Sequence, residues 1–449
     1  MLKLLFILLL VSTPLWAFCG FFVAKADASL YNQASQVIIV HHDDKTALTL
    51  INDFHGDLDQ FALVLPVPEI LTRDQINVAE RGLTERVDAF SAPRLVEYFD
   101  PDPCSPPINI YADGAMRGMK SANLQGGAGE KGYGVKVEAE YTVGEYDIVI
   151  LSAKESDGLE KWLVESGYKI PRGASKALAP YLKQSMKFFV AKVNLKEQAK
   201  TGYKFLRPLQ FAFESKKFML PIRLGMINAN GAQDLIVYAI SRKGRVETTN
   251  YRTVKLPTGV DIPLYTKGRF ADFYKSMFEV AHEKENRKVV FQEYAWNMGW
   301  CDPCASDPLT RDELKKLGVF WLDELSVQGA PARRGRMIMP PQIVGPVEAY
   351  ITRLHVKYDS DHFPEDLMFQ ETADQENYQA RFILRHPWVG EIKCPSETYK
   401  RDLATRRQKE AENLATLTGW KMADIQREIG APEPAPTEKP KRWFQKIFK

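Results

Sequence analysis

Runs of β-branched and apolar residues alternate irregularly with helical patterns along this chain, and this order constrains its fold most. Gln36 to Val40 and Thr46 to Ile51 are strand-like runs on either side of a polar turn. Phe61 to Pro68 is a continuous apolar run, as in a strand that is buried on both faces. Because strands and helices follow no regular βαβ order, the pattern predicts an α+β fold with mixed, mostly antiparallel sheets and interspersed helices.

Three segments have clear helical patterns. Apolar residues at helical spacing predict one helix from Gly268 to Glu293. Thr310 with Glu313 forms a capping-box signature, which predicts a helix from Thr310 to Leu325. The charged segment from Ser396 to Ile429 predicts a long C-terminal helix that stops at Gly430.

The first 17 residues have the pattern of a secretory signal peptide. Lys3 supplies a positive start, Leu4 to Val11 an unbroken apolar run, and Ala17 a small residue for cleavage. The run of about a dozen apolar residues is shorter than the roughly 20 that a membrane-spanning helix needs. The sequence therefore predicts export to the periplasm or beyond, with an uncleaved membrane anchor as the alternative.

The remaining chain divides by composition into three parts. Residues 18–395 are predicted to form the folded α+β region, with a possible internal boundary near residues 257–268. Residues 396–430 form the charged helix, and residues 431–449 a Pro-rich linker with a basic, aromatic tail. The formal net charge of +3 lies in this tail, so the body gives no reason to expect nucleic-acid binding.

The tail carries the pattern of a weak membrane-surface or partner-binding element. Basic and aromatic residues alternate there at helical spacing: Arg442, Trp443, Phe444, Lys446, Ile447 and Phe448. Such an element can contact an anionic membrane or an acidic partner. The alternative is a solvated tail without a partner.

Five cysteines lie beyond the signal segment: Cys19, Cys104, Cys301, Cys304 and Cys394. In an oxidising compartment they predict two disulfides and one free thiol. Spacing does not fix the connectivity, although it favours a bridge between Cys301 and Cys304. The same pair has the spacing of a redox-active dithiol, so a redox centre, a metal ligand and a free thiol stay open as alternatives.

One loop gathers enough potential ligands to suggest a metal site. The residues concerned are His355, Asp359, Asp361, His362 and Asp366. The carboxylates suit calcium and the imidazoles suit a transition metal. The alternative is a strand that leads into a turn with solvated charges.

No complete catalytic motif accompanies these candidates. The glycines at 126–134 are not followed by the Gly-Lys-Ser/Thr of a phosphate-binding loop. The chain also lacks a Gly-x-Ser-x-Gly elbow and a His-Glu-x-x-His zinc motif. These absences favour a non-catalytic module that binds a ligand or an envelope partner. The alternative is an enzyme that uses the Cys301/Cys304 dithiol or the metal loop, and no cofactor is identified.

Several short motifs together resemble a known family. In chain order they are Cys19-Gly20-Phe21-Phe22, the run from Phe61 to Pro68, Trp162-Leu163, Gly167-Tyr168, Ile170-Pro171, Leu206-Arg207-Pro208-Leu209, Cys301-Asp302-Pro303-Cys304-Ala305 and Arg353-Leu354-His355. They are similar to the secreted bacterial proteins of domain-of-unknown-function family 2330, over residues 19 to 395. The resemblance implies export and a shared fold, and it carries over no catalytic residue. Members often have a second cysteine where this chain has Val23, which makes Cys19 a candidate for the odd thiol.

Overall fold

The computed structural model describes most of the chain in four stretches. These are residues 35–51, 62–104, 136–324 and 347–430. Not described are residues 52–53, which follow the first stretch, and, inside the third stretch, residues 154, 166–167, 170–173, 204, 229–230 and 303–306. Four short strands before residue 56 are also described. The predicted signal segment, the C-terminal tail and Cys19 lie outside the described residues.

The secondary structure is rich in both strands and helices. The strands are β1 (Phe21–Phe22), β2 (Ala24–Lys25), β3 (Tyr31–Asn32), β4 (Ser35–His42), β5 (Lys45–Ile51), β6 (Phe54–His55), β7 (Ala62–Val67), β8 (Ile76–Val78), β9 (Arg94–Phe99), β10 (Lys136–Val143), β11 (Tyr146–Ser152), β12 (Tyr168–Lys169), β13 (Lys187–Val193), β14 (Leu209–Glu214), β15 (Met219–Leu220), β16 (Gln233–Ser241), β17 (Val246–Thr248), β18 (Arg252–Lys255), β19 (Val260–Asp261), β20 (Val289–Asn297), β21 (Tyr350–Tyr358), β22 (Leu367–Glu371), β23 (Tyr378–Gln379) and β24 (Arg381–His386). The helices are α1 (Arg81–Ser91), α2 (Ser156–Glu165), α3 (Ala174–Lys183), α4 (Leu195–Thr201), α5 (Phe270–Lys284), α6 (Arg311–Lys316), α7 (Trp321–Glu324), α8 (Glu397–Thr418) and α9 (Met422–Gly430). This content confirms the α+β class.

The chain forms two compact units, each built from three separate segments. The first unit comprises residues 1–93, 123–256 and 285–380. The second comprises residues 94–122, 257–284 and 381–449.

Two facing sheets form the centre of the first unit. The smaller sheet has the strand order β1-β7-β13-β11-β10, and all of its pairs are antiparallel. The larger has the order β18-β20-β21-β16-β4-β5-β14-β8, with β23 added beside β20. It is mostly antiparallel, but β4 pairs with β16, and β18 with β20, in parallel.

Alternating side chains of the larger sheet bury both of its faces. Val37 and Ile39 of β4 face the smaller sheet, and Ile38 and Val40 face the layer that contains α1, α6 and α7. On the outer face of the smaller sheet, α2 and α3 cover a third apolar cluster. The first unit is therefore a two-sheet sandwich with helices on both outer faces. This arrangement explains the continuous apolar runs, because their strands are buried on both sides.

The second unit is organised around a small parallel sheet of order β19-β24-β9. Helix α5 packs against it through Phe273, whose ring meets Phe382 edge-on at a centroid distance of 4.8 Å. A disulfide between Cys104 and Cys394 also lies in this unit, with a Cα–Cα distance of 5.6 Å.

The structure corrects one predicted helix and divides two others. The helix expected from Gly268 to Glu293 ends at Lys284, and residues 289–297 form β20 instead. The C-terminal helix is present as α8, but Gly419, in the left-handed conformation with φ 71°, ends it before α9 begins. The capping box at Thr310 is confirmed, but the helix predicted from Thr310 to Leu325 is divided into α6, which ends at Lys316, and α7. In the described part of the chain, no helix is both long and apolar enough to cross a membrane.

Candidate functional site

An apolar cavity of about 300 Å³ lies at the end of the sandwich in the first unit, where β7 and β14 end, and its lining comes from both the inter-sheet core and the cluster on the outer face of the smaller sheet. We call it the sandwich cavity. Its apolar wall consists of Leu48, Pro66, Pro68, Met186, Phe211, Phe213, Met219 and Pro221. Its polar lining consists of Gln184, Ser215, Lys216 and Lys217. The volume is at the lower end of the roughly 300–1,000 Å³ found for small-molecule sites.

Local sequence explains why space remains at this end of the sandwich. Phe211 and Phe213 are two residues apart on β14, so both rings face the inner side of the sheet. The pairing of β7 with β13 includes Pro66 and ends at Val67, and the next residue, Pro68, has no backbone N–H with which to extend it. The strands end here, and the side chains around their ends leave an apolar recess.

The polar residues form one side of the cavity and are held in place by hydrogen bonds. Lys217 Nζ donates to Gln184 Oε1 at 2.5 Å, which connects the β14–β15 loop to the segment after α3. Ser215 Oγ accepts from the Lys217 backbone N–H at 3.1 Å and donates to the Lys217 carbonyl at 3.1 Å. Both lysines are exposed. The cavity thus combines an apolar interior with a positively charged mouth.

A second concavity of about 710 Å³ lies over the outer face of β5 and β14. Lys45 and Lys315 line it together with Asp74 and Glu214. Because it presents charges of both signs and is more open, it favours no particular class of ligand.

A network of charged side chains is buried on the helix-facing side of the larger sheet. Arg353 Nε donates to Glu293 Oε2 at 2.5 Å, and its Nη1 donates to Asp88 Oδ1 of α1 at 2.5 Å. His355, two residues further along β21, donates through Nδ1 to Glu293 Oε1 at 2.8 Å and through Nε2 to Asp234 Oδ1 at 3.0 Å. Glu293 is 0% exposed and accepts from both cations.

Strand geometry explains how these groups meet. Arg353 and His355 share one face of β21 by alternation, while Leu354 between them faces the smaller sheet. The register of β20 against β21 shifts between Gln292 and Tyr294, so Glu293 is the extra residue of a β-bulge. A bulge re-aims side chains, and here it places the carboxylate between the two cations.

The electrostatics of the network keep His355 charged. Burial alone would lower the pKa of His355, but the negative charge of Glu293 and the hydrogen bonds to Asp234 and Glu293 outweigh it and raise the pKa to about 9. Burial also raises the pKa of Tyr238, whose hydroxyl therefore remains protonated and donates to Asp88 Oδ1 at 2.6 Å. Each of these charged groups contacts a group of opposite charge within the protein, so the network acts as an internal support for β16, β20, β21 and α1.

The five residues of the predicted metal loop lie in three different environments in the structure. His355 belongs to the buried network. Asp359 Oδ1 accepts from His362 Nδ1 at 2.8 Å and from the backbone N–H groups of Asp361 and His362, so these three residues form a turn. Burial alone would raise the pKa of Asp359, but the hydrogen bonds from His362 and from the turn outweigh it and lower that pKa.

Asp366 lies apart from that turn and has a structural environment. It is 5% exposed, and its Oδ1 accepts from Tyr181 Oη at 2.6 Å and from the Ile222 backbone N–H at 2.9 Å. Across the described residues, no group of three or more His, Cys, Asp or Glu side chains has the arrangement of a metal site.

The cysteines pair differently from the close bridge that spacing favours. Cys104 is joined to Cys394, 290 residues away, and Cys301 is a free, exposed thiol. Cys304 lies outside the described residues. Asp302, next to Cys301, is buried and accepts from Tyr294 Oη at 3.0 Å and Gln379 Nε2 at 2.7 Å. The segment that carries Cys301 is thereby tied to β20 and β23.

The predicted tail element, Arg442, Trp443, Phe444, Lys446, Ile447 and Phe448, lies outside the described residues. Its contact with a membrane or partner stays a prediction.

A profile of a bacterial family, described as an uncharacterized protein conserved in bacteria (DUF2330), matches residues 13–370. The chain belongs to this family. The resemblance inferred from the short motifs is thereby confirmed. Membership assigns the chain a domain of unknown function and no specific role. No curated protein and no solved structure matches the chain.

The DUF2330 match includes the sandwich cavity and the buried network, but it stops before β24, α8 and Cys394. Sequence reasoning misses the cavity because its wall is contributed by side chains from residue 48 to residue 221, with no shared motif. The available signals are the Pro66/Pro68 pair that closes an apolar strand and the adjacent Lys216 and Lys217 after inward-facing Phe213. Glu293 is missed because helical spacing assigns its segment to a helix.

Proposed function

We propose that this protein is exported and acts as a non-catalytic binding module of the bacterial envelope, taking up a small apolar molecule in the sandwich cavity. The single observation that carries the binding proposal is the cavity itself, an apolar recess of about 300 Å³ with one polar side. Small-molecule sites characteristically combine an apolar wall with a few polar groups that orient the ligand. Apolar surface that leaves water on binding supplies the driving force.

The charged clusters support a binding role over a catalytic one. In the buried network, Glu293 accepts from Arg353 and His355, and these cations also bond Asp88 and Asp234. A general acid or base must reach a substrate proton directly or through one water. The bonds of Glu293 within the network favour a structural use of these groups.

Two observations support export. The N-terminal residues have the order of a signal peptide. A disulfide joins Cys104 to Cys394, and structural disulfides persist mainly in oxidising compartments.

A substitution that fills the sandwich cavity with a larger side chain tests the binding proposal. Met219 lines the sandwich cavity, and Met368 is its cross-strand partner on β22 but does not line the cavity. We expect wild-type protein and Met368→Trp to bind decan-1-ol in isothermal titration calorimetry, and Met219→Trp to lose this binding. Equal binding by both variants, or none by the wild type, would remove the sandwich cavity as the site.

Fractionation with thiol mapping tests export. Cells that produce the full-length chain are separated into cytosolic and extracytoplasmic fractions, and thiols are alkylated before and after reduction. We expect the protein outside the cytosol, with Cys104 and Cys394 modified only after reduction. A cytosolic full-length chain in which both cysteines react without reduction would contradict export.

A further inference from the structure

We propose that the ligand of the sandwich cavity is a single-chain anionic amphiphile of the medium-chain carboxylate type, with its acidic group bound by Lys216 and Lys217. This inference rests on the proposed binding function and specifies the chemistry of its ligand. Three properties of the cavity support it: the distribution of charge around it, the state of the two lysines and the available volume.

The charged side chains that line the cavity have one sign. Lys216 and Lys217 line it, and no carboxylate does so among the described residues. The other two polar lining residues, Gln184 and Ser215, are neutral. A ligand that enters the apolar interior therefore meets positive charge only at the mouth, where an anionic group remains hydrated and a buried charge is avoided.

The two ammonium groups are not neutralised within the described structure. Lys217 Nζ donates to the amide oxygen of Gln184, which is uncharged and takes one of the three donors of an ammonium group. No ion pair involving Lys216 or Lys217 is formed among the described residues. The hydrogen bond to Gln184 places the Lys217 charge over the mouth before a ligand arrives, which reduces the ordering cost of binding.

The volume of the cavity limits the ligand to a single alkyl chain. An apolar cavity of about 150 Å³ is enough to hold benzene, so about 300 Å³ accommodates one chain of roughly eight to twelve carbons. Two full acyl chains of a phospholipid do not fit this space. Met186 and Met219 in the wall are flexible thioethers, and they can repack around an alkyl chain.

Three ligands with the same tail test the proposal: decanoate, decan-1-ol and decyltrimethylammonium, each titrated into the full-length protein at about 0.05 M and 0.5 M salt. At low salt we expect decanoate to bind about fivefold to tenfold more tightly than decan-1-ol, and the cation to bind most weakly. The preference for decanoate should shrink at high salt, because a charge contact at an exposed mouth is screened.

Variants that remove lysine charges test which residues cause the preference for decanoate. Lys216→Gln with Lys217→Gln should lose the preference for decanoate while binding decan-1-ol as the wild type does. The matched control, Lys196→Gln with Lys200→Gln on α4, removes the same charge away from the cavity and should keep the preference. Equal affinity of the wild type for decanoate and decan-1-ol would overturn this inference and leave the binding function intact. Absence of binding by all three ligands would overturn both.

Discussion

The stability of the first unit should depend on pH through His355. Its pKa is raised from about 6.5 to about 9 in the folded protein by Glu293 and Asp234, against the opposing effect of burial. A group whose pKa is raised by folding stabilises the folded state fully below its unfolded pKa, and this contribution is lost as the pH rises through the folded pKa. The stabilisation should therefore be complete near pH 6 and nearly absent near pH 9.5.

The size of this stabilisation follows from the change in the pKa of His355 on folding. Each tenfold change in proton affinity corresponds to about 1.4 kcal/mol, so raising the pKa from about 6.5 to about 9 corresponds to about 3 kcal/mol. His355→Gln removes the titrating group and keeps an amide donor for Glu293. We expect this substitution to lower the free energy of unfolding by about 3 kcal/mol at pH 6 and to have little effect at pH 9.5.

Urea unfolding of the wild type and His355→Gln at pH 6, 7.5 and 9.5 measures this difference, because titration of other groups is common to both proteins. The chain has two units, so hydrogen exchange of peptides from β21 is needed to assign the effect to the first unit. If His355→Gln costs the same at pH 6 and pH 9.5, the proton on His355 is not coupled to folding and the assignment of the ion pair is refuted.

Three further predictions concern the second unit. Cys104→Ser with Cys394→Ser should lower its free energy of unfolding by about 2–5 kcal/mol, measured by urea denaturation without reductant, because a long loop is no longer closed in the unfolded chain. Burial raises the pKa of Glu410 to about 7 against the opposing charge of a nearby arginine, so ionisation of Glu410 destabilises the fold at pH 8. Glu410→Gln should therefore raise the melting temperature at pH 8 and have little effect near pH 4. Gly419→Ala should lower the free energy of unfolding by about 1–2 kcal/mol, because alanine is strained at φ 71°.

Each of these has a control and a result that would count against it. Cys301→Ser should leave denaturation unchanged, and a loss equal to that of the double variant would point to a general effect of cysteine replacement. A Glu410→Gln melting curve that matches the wild type at pH 8 would contradict the raised pKa. Gly430→Ala, at a glycine without positive φ, should be neutral, and an equal cost at Gly419 and Gly430 would exclude the conformational explanation.

Patterns of local sequence predict the elements that bury both faces or begin with a clear cap. Gln36 to Val40 and Thr46 to Ile51 form β4 and β5, and the capping box at Thr310 begins α6. The helix expected from Gly268 to Glu293 fails after Lys284, because Asn286 and Arg287 adopt positive φ and turn the chain into β20. Tertiary pairing with β21 then fixes this segment as a strand.

The candidate site could be predicted only in part, since distant segments assemble it. Periodicity marks Phe211 and Phe213 as inward-facing, but Met186 and Met219 enter the same wall through pairings that no local pattern encodes. The predicted metal site groups His355 with Asp366 because they are close in sequence, but the structure places them in different environments. The first is an interior strand residue, and the second accepts hydrogen bonds from Tyr181 and the Ile222 backbone.

The long separation between Cys104 and Cys394 has a consequence for folding if the protein is exported as proposed. In vectorial translocation from the N-terminus, Cys104 would meet the oxidising compartment well before Cys394, and Cys301 would emerge between them. An early oxidation of Cys104 therefore has wrong thiols within reach, and thiol–disulfide exchange must release it once the last segment arrives. Under the proposed export, a cell without a disulfide isomerase should accumulate scrambled forms of this protein, even though its fold holds a single bridge among the described cysteines.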